Sequence, residues 1–144
     1  MEVLSFQSAV FRVLNGFSLL ERNLGLCISH LKDPTDPASS YEMLQRLSCA
    51  GKIKTLRELL DPEMVDVFDA WAESAVSQRA IRNQFAHGCW EYLPLRKESP
   101  VGLRLPPWAG DQGFEFSVRE LQEIADALES CFHDFMQWRK EHGV

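Results

Sequence analysis

An all-α fold, built as an antiparallel bundle of four to five helices, is what this sequence predicts. Three observations carry that expectation: an unbroken 3,4-spaced apolar stripe near the N-terminus, a proline-led helix start in mid-chain, and a capping box before a last amphipathic stretch. All 144 residues are read as a single domain, because a chain of this length supports one core that buries roughly 68 to 70% of its unfolded surface.

The first stripe runs Val3, Phe6, Val10, Val13, Phe17, Leu20, Leu24, Cys27, Leu31. It predicts a long first helix of roughly 43 Å over residues 3–31, a length that suits a bundle. Arg12, Asn15, Glu21 and Arg22 interrupt its polarity and exclude a membrane span. Pro34 and Pro37 end it, since each removes a backbone donor and disfavours helix at the residue before.

A second helical stretch is expected over residues 41–60, capped by Ser40 and broken near Ala50-Gly51. Asp61-Pro62-Glu63 then offers an N-cap, a first-turn proline and an acid at the positive end of the dipole, so a third helix is expected over residues 62–87 with Gly88 ending it. Residues 88–116 hold Pro94, Pro100, Pro106 and Pro107 among several glycines and cannot be helical. Two short runs there, residues 89–95 and 102–105, read as a β-hairpin insertion. Ser117-Val118-Arg119-Glu120 is a capping box, and Val118, Leu121, Ala125, Leu128, Phe132, Phe135 and Trp138 form the stripe of the last helix.

Composition narrows the function classes. An apolar fraction of 45% and a charged fraction of 25% are globular averages, with no membrane span and no export signal in Met1 to Ser8, so the expected compartment is the cytoplasm. The four cysteines stand singly, without metal-ligand spacing, and read as buried thiols; no metal and no cofactor is expected. A net charge of −6 argues against a non-specific nucleic-acid binder. Charge is unevenly spread, however: residues 61–73 and 120–134 carry acids without lysine or arginine, while Arg46, Lys52, Lys54 and Arg57 face only Glu42 and Glu58.

One short run bears chemistry, R-N-Q-F-A-H-G-C-W from Arg82 to Trp90. On the third helix Met64, Phe68, Trp71 and Ala75 share one line, and Arg82, about five turns from Met64, falls on it too. An arginine on a core-facing stripe is costly unless it is paired or faces a groove. Asn83 and His87 are neighbours at i and i+4, about 100° to 140° round from that line, with Arg79 between them.

Arg82, Asn83 and His87, with four residues between the Arg-Asn pair's arginine and the histidine, resemble the signature of the HEPN superfamily, the higher eukaryote and prokaryote nucleotide-binding helical domains. Ala86-His87-Gly88 followed by Trp90 looks like many bacterial members. The resemblance covers a few residues in detail and the long-helix architecture in outline. It implies a metal-independent endoribonuclease of toxin or defence type, acting as a homodimer whose two motifs share one cleft and cleaving RNA through its own 2′-hydroxyl. His87 would act as acid or base, Arg82 would bind the phosphate, Asn83 would orient phosphate or His87, and Arg79 would help hold the substrate. An antitoxin or other regulatory protein is the further partner implied. In compact members the motif passes quickly to the next helix, whereas here residues 88–116 intervene, a segment that either shapes an RNA groove or covers the dimer face.

Plainer readings stand beside this one. His87 suits a helix C-terminus through the dipole and the orphan carbonyls, Arg82 could pair with an acid of a neighbouring helix, and Asn83 could brace its own helix. Trp71, Trp90 and Trp138 read as core. Three functions therefore stay open: the ribonuclease, a non-catalytic HEPN-like module that binds a nucleotide or protein, and a helical scaffold or antitoxin-like subunit.

Overall fold

The computed structural model describes residues 2–144, with side chains from Leu4 onward; the place of the Val3 side chain in the first stripe lies outside the described residues. The chain is mostly helical. Five helices, α1 (Glu2–Lys32), α2 (Pro37–Leu44), α3 (Cys49–Leu59), α4 (Pro62–His87) and α5 (Val118–His142), enclose the core. Between the last two lies a small sheet of β1 (Cys89–Tyr92), β2 (Val101–Arg104) and β3 (Gly113–Phe116), with a 3₁₀ turn at Pro107–Ala109. Among the described residues no helix is long and apolar enough to cross a membrane.

The first helix is the hub, contacting each of the other four. Its predicted stripe is the buried one: Phe6, Val13, Phe17, Leu20, Leu24 and Cys27 are all enclosed. Gly16 faces α5, where a Cβ would make ordinary contact with Leu128 at 3.5 Å. Outside that seam Arg12 reaches across to Glu129 at 2.7 Å, which ties α1 to α5 on the solvent side. The last helix opens with the expected capping box, Ser117 Oγ accepting from the Glu120 N–H and the Glu120 carboxylate from the Ser117 N–H. It ends at Gly143, whose left-handed φ of 65° is the conformation a glycine cap supplies.

Three boundaries depart from expectation. The second helical stretch is two helices, broken at residues 45–48 and not at Gly51. Ser48 caps α3 by accepting from the Gly51 N–H, so that glycine sits inside the first turn. Helix α2 starts earlier, at Pro37, which leaves Ser40 within the helix with its hydroxyl buried and without a hydrogen bond. Asp61 does occupy the position before α4, yet its side chain makes no cap bond.

The fold is also not all-α. The predicted hairpin forms as β1 and β2, antiparallel with Trp90 opposite Leu103, and a third strand adds to it with Leu103 opposite Phe114. The alternation of G-F-E-F in β3 is plain only once β2 offers it a partner. Trp90, Tyr92, Leu103, Phe114 and Phe116 turn to the core face, where Phe85 meets Trp90 edge-on at 4.8 Å and Phe6 stacks on Tyr92 at 6.1 Å. The sheet thus closes one end of the helical core.

Of the cysteines, Cys27, Cys49 and Cys131 are buried as expected, whereas Cys89 is exposed on the outer face of β1. Strand alternation explains it, because Trp90 next door takes the core side. Burial raises all three enclosed thiols above their ordinary range. The indoles of Trp71 and Trp90 serve the core and donate to the carbonyls of Cys131 and Phe85.

Candidate functional site

Helix α4 holds all the residues singled out from the sequence, and its buried face is not straight. Phe68, Ala72 and Ala75 are enclosed in its first half, and Phe85 in its second. At about 100° per residue Phe85 lies roughly 100° round from Phe68. The helix turns its apolar face from the α1–α5 core toward the aromatic sheet, and Arg82, about 40° from Phe68 and 60° from Phe85, lies between the two buried directions.

Arg82 is half-buried there, with its guanidinium carbon 5.8 Å from the centre of the Phe17 ring of α1. Its Nη1 donates to Asn83 Oδ1 at 3.1 Å. Its Nε is fully enclosed with no hydrogen-bond partner. No carboxylate pairs with it among the described residues, so the structural ion pair that would account for a core-facing arginine is not what holds it. The ring face and the Asn83 amide aim the guanidinium instead, which leaves its remaining donors for another group.

Asn83 therefore orients Arg82, not His87. His87 is exposed in the last turn of α4, one turn beyond half-buried Asn83 on the same side. Arg79, half-buried, lies one turn before Asn83. The row Arg79, Asn83, His87 follows one flank of the helix with Arg82 beside it. Residues 88–116 do not cover this flank: the sheet docks on Phe85, about 160° round the helix from both Asn83 and His87.

Glycine at position 88 is demanded by close approach. Its backbone is extended, φ −80° and ψ 159°, so the left-handed cap conformation does not explain it. A Cβ there would come within 2.1 Å of Leu103 Cδ1 and 2.9 Å of the Gln84 carbonyl oxygen. The chain can leave α4 straight into β1, directly beside His87, only because that atom is missing.

Beyond the row, α3 brings its first turn against α4. The Cys49 thiol is pushed up to about 11 by burial foremost and by nearby Glu21, while Arg79 and Lys52 pull it the other way. Of the charged groups that act on this thiol, the sequence singled out only Arg79 for the site. Elsewhere, a concavity of about 330 Å³ on the outer face of the sheet is lined by Cys89, Glu91, Arg104 and Glu115 and does not include the α4 row. Comparison with family models, curated proteins and solved structures finds no match to this chain.

Proposed function

We propose that the protein is a metal-independent endoribonuclease of toxin or defence type, an antiparallel HEPN-like helical bundle that assembles its site between two copies of the chain. One observation carries this reading: a half-buried arginine with no acidic partner among the described residues, aimed by Asn83, precedes by five residues an exposed histidine in the last turn of α4. Such an arginine is poorly accounted for by stability, because an enclosed donor without a partner costs about 1–3 kcal/mol.

The chemistry assigns a role to each residue. A neutral imidazole takes the proton of the RNA 2′-hydroxyl, whose oxygen attacks the adjacent phosphorus; the bond to the 5′-oxygen breaks, and an imidazolium protonates that leaving oxygen. The free forks of Arg82 stabilise the charge that builds on the phosphoryl oxygens. One chain supplies one His87 in this row, and a two-fold pair supplies base and acid together.

Surface character supports a partner. The accessible area of 8816 Å² exceeds the roughly 7,500 Å² expected of a compact monomer of 16.5 kDa. Round the α1 surface from Phe17, on the flank that faces α4, come half-buried Leu14 and then Phe11, which is 66% exposed. An apolar edge beside the row is what a second copy, or a regulatory protein, would cover.

The test is cleavage of a varied RNA pool by purified protein free of any partner. Expected are products ending in 2′,3′-cyclic phosphate, loss of cutting in His87→Ala and Arg82→Ala, no effect of EDTA, and blockage by a 2′-deoxy residue at the scissile position. The absence of any hydrogen bond orienting His87 among the described residues favours one rival, a non-catalytic module that binds a nucleotide or a protein. An uncut pool with a folded protein would move the assignment there.

A further inference from the structure

The outer face of the sheet is hollow, and its residues explain why. Strand alternation turns Trp90, Leu103 and Phe114 to the core, so their neighbours along each strand face solvent. In register these outward positions form two rows, Cys89, Arg104 and Gly113 in the first and Glu91, Gly102 and Glu115 in the second. Glycine thus holds the centre of one row and an end of the other. A Cβ on Gly113 would meet nothing within 4 Å, and one on Gly102 would meet Leu93 Cδ1 no closer than 3.7 Å, so packing demands neither glycine. Their missing side chains are what leave a concavity of about 330 Å³ open above the strands, at the small end of ligand-site volumes.

Charged side chains wall that floor. After β1 the chain turns back, the Arg96 N–H donating to the Leu93 carbonyl at 3.0 Å, and the Arg96 guanidinium pairs with Glu115 of β3. This pair closes one end of the hollow and neutralises one carboxylate. Glu91 and Arg104 line it too, and neither belongs to an ion pair among the described residues. They stand at diagonal positions of the β1–β2 ladder, about 7–8 Å apart. One free charge of each sign therefore borders a floor without side chains. A ligand with adjacent charges would draw Glu91 and Arg104 to one point, where they would satisfy each other. A ligand whose charges are set apart by an apolar chain engages both where they stand.

We propose that this hollow binds a small zwitterion of the ω-amino carboxylate class. The ammonium rests against Glu91, the planar fork of Arg104 holds the carboxylate, and the methylene chain between them lies over Gly102. The site is separate from the α4 row and does not depend on the ribonuclease reading.

The experiment titrates the isotopically labelled protein with 6-aminohexanoate, pentylamine and hexanoate at matched ionic strength and follows the backbone amides by NMR. The zwitterion is expected to shift the amides of Gly102, Arg104 and Gly113, and to bind about 3- to 5-fold more tightly than either one-ended probe, the worth of one exposed ion pair. Arg104→Gln should remove its advantage over pentylamine, and Glu91→Gln its advantage over hexanoate. Gly102→Val, whose Cβ makes only ordinary contact and whose branch suits a strand, should fill the floor and abolish binding. Should that variant not fold, Gly113→Val has open space round its Cβ, fills the adjoining corner and serves the same test. Equal affinity for all three probes, amides unmoved at about 50 mM ligand, or undiminished binding in a folded valine variant would overturn the site. Each of these results leaves the ribonuclease reading intact, since Arg82 and His87 do not line the hollow.

Discussion

The two halves of α4 share one continuous helix and meet the rest of the molecule in opposite ways. In the first half Phe68 is fully enclosed against Trp71 and Trp138, with ring-centre separations of 5.6 and 5.4 Å. In the second half the apolar face swings toward the sheet through Phe85, and the position where a core side chain would follow is filled by Arg82, set over Phe17 with a donor left unsatisfied. The first half maximises packing; the second accepts a poorly satisfied cation and an exposed imidazole. Stability and the proposed function occupy different turns of one element.

The largest expected effect that sharpens this contrast lies in the first half. Phe68→Ala should lower stability by about 3–5 kcal/mol, because it removes a fully buried ring and leaves a cavity the neighbouring indoles cannot fill; urea unfolding followed by tryptophan fluorescence measures it. A loss below about 1 kcal/mol would show that the first half is not the packed one.

Next is the junction where the helix hands over to the sheet. Gly88→Ala forces its new methyl against Leu103 and the Gln84 carbonyl, and should cost about 1–3 kcal/mol as an overpacked contact. Thermal melting checks it, and an unchanged midpoint would mean that β1 is free to move away from α4.

A smaller effect, of opposite sign, is expected in the second half. Arg82→Met retains apolar contact with Phe17 while removing the orphaned Nε, so stability should rise by about 1 kcal/mol once the lost ring interaction is offset. A higher melting point together with lost RNA cleavage would separate the halves cleanly; a drop of several degrees would make Arg82 a structural residue.

The smallest effect belongs to the α1–α5 seam, far from the row. The hydrogen bond from Arg12 holds the Glu129 carboxyl below its ordinary 4.5. A depressed folded value means the stabilisation is present above the unfolded value and fades as pH falls through the folded one. Because the pair is well exposed, Glu129→Gln should cost less than about 1 kcal/mol at pH 7. Melting curves of variant and wild type should converge in acid, and a gap that persists there would point to packing and not charge.

Much of this was legible in the residues themselves. The 3,4 stripe of α1, the Pro62 start and His87 end of α4, and the Ser117–Glu120 capping box are local signals, since helix periodicity and capping depend on residues a few positions apart. The same holds for the i, i+4 relation of Asn83 and His87. The break before Ser48 was misplaced because Gly51 is a weak helix former whose cost the Ser48 cap offsets.

Tertiary contacts decided the rest. Strand β3 exists because β2 gives it hydrogen-bond partners from elsewhere in the chain, and Gly88 matters because Leu103, distant in sequence, packs where a Cβ would be. The straight stripe does set Arg82 on the inner side of α4, over Phe17, but the turn of the buried face toward Phe85 and the aromatic sheet is contained in no count along α4. Lys52 read as one more member of a solvated basic stretch, and only the approach of Gly25 and Tyr41 shows its stem enclosed. A sequence specifies which faces are apolar over a few turns, while which of them are buried, and which charges go unpaired, depends on surfaces that meet only after the chain has folded.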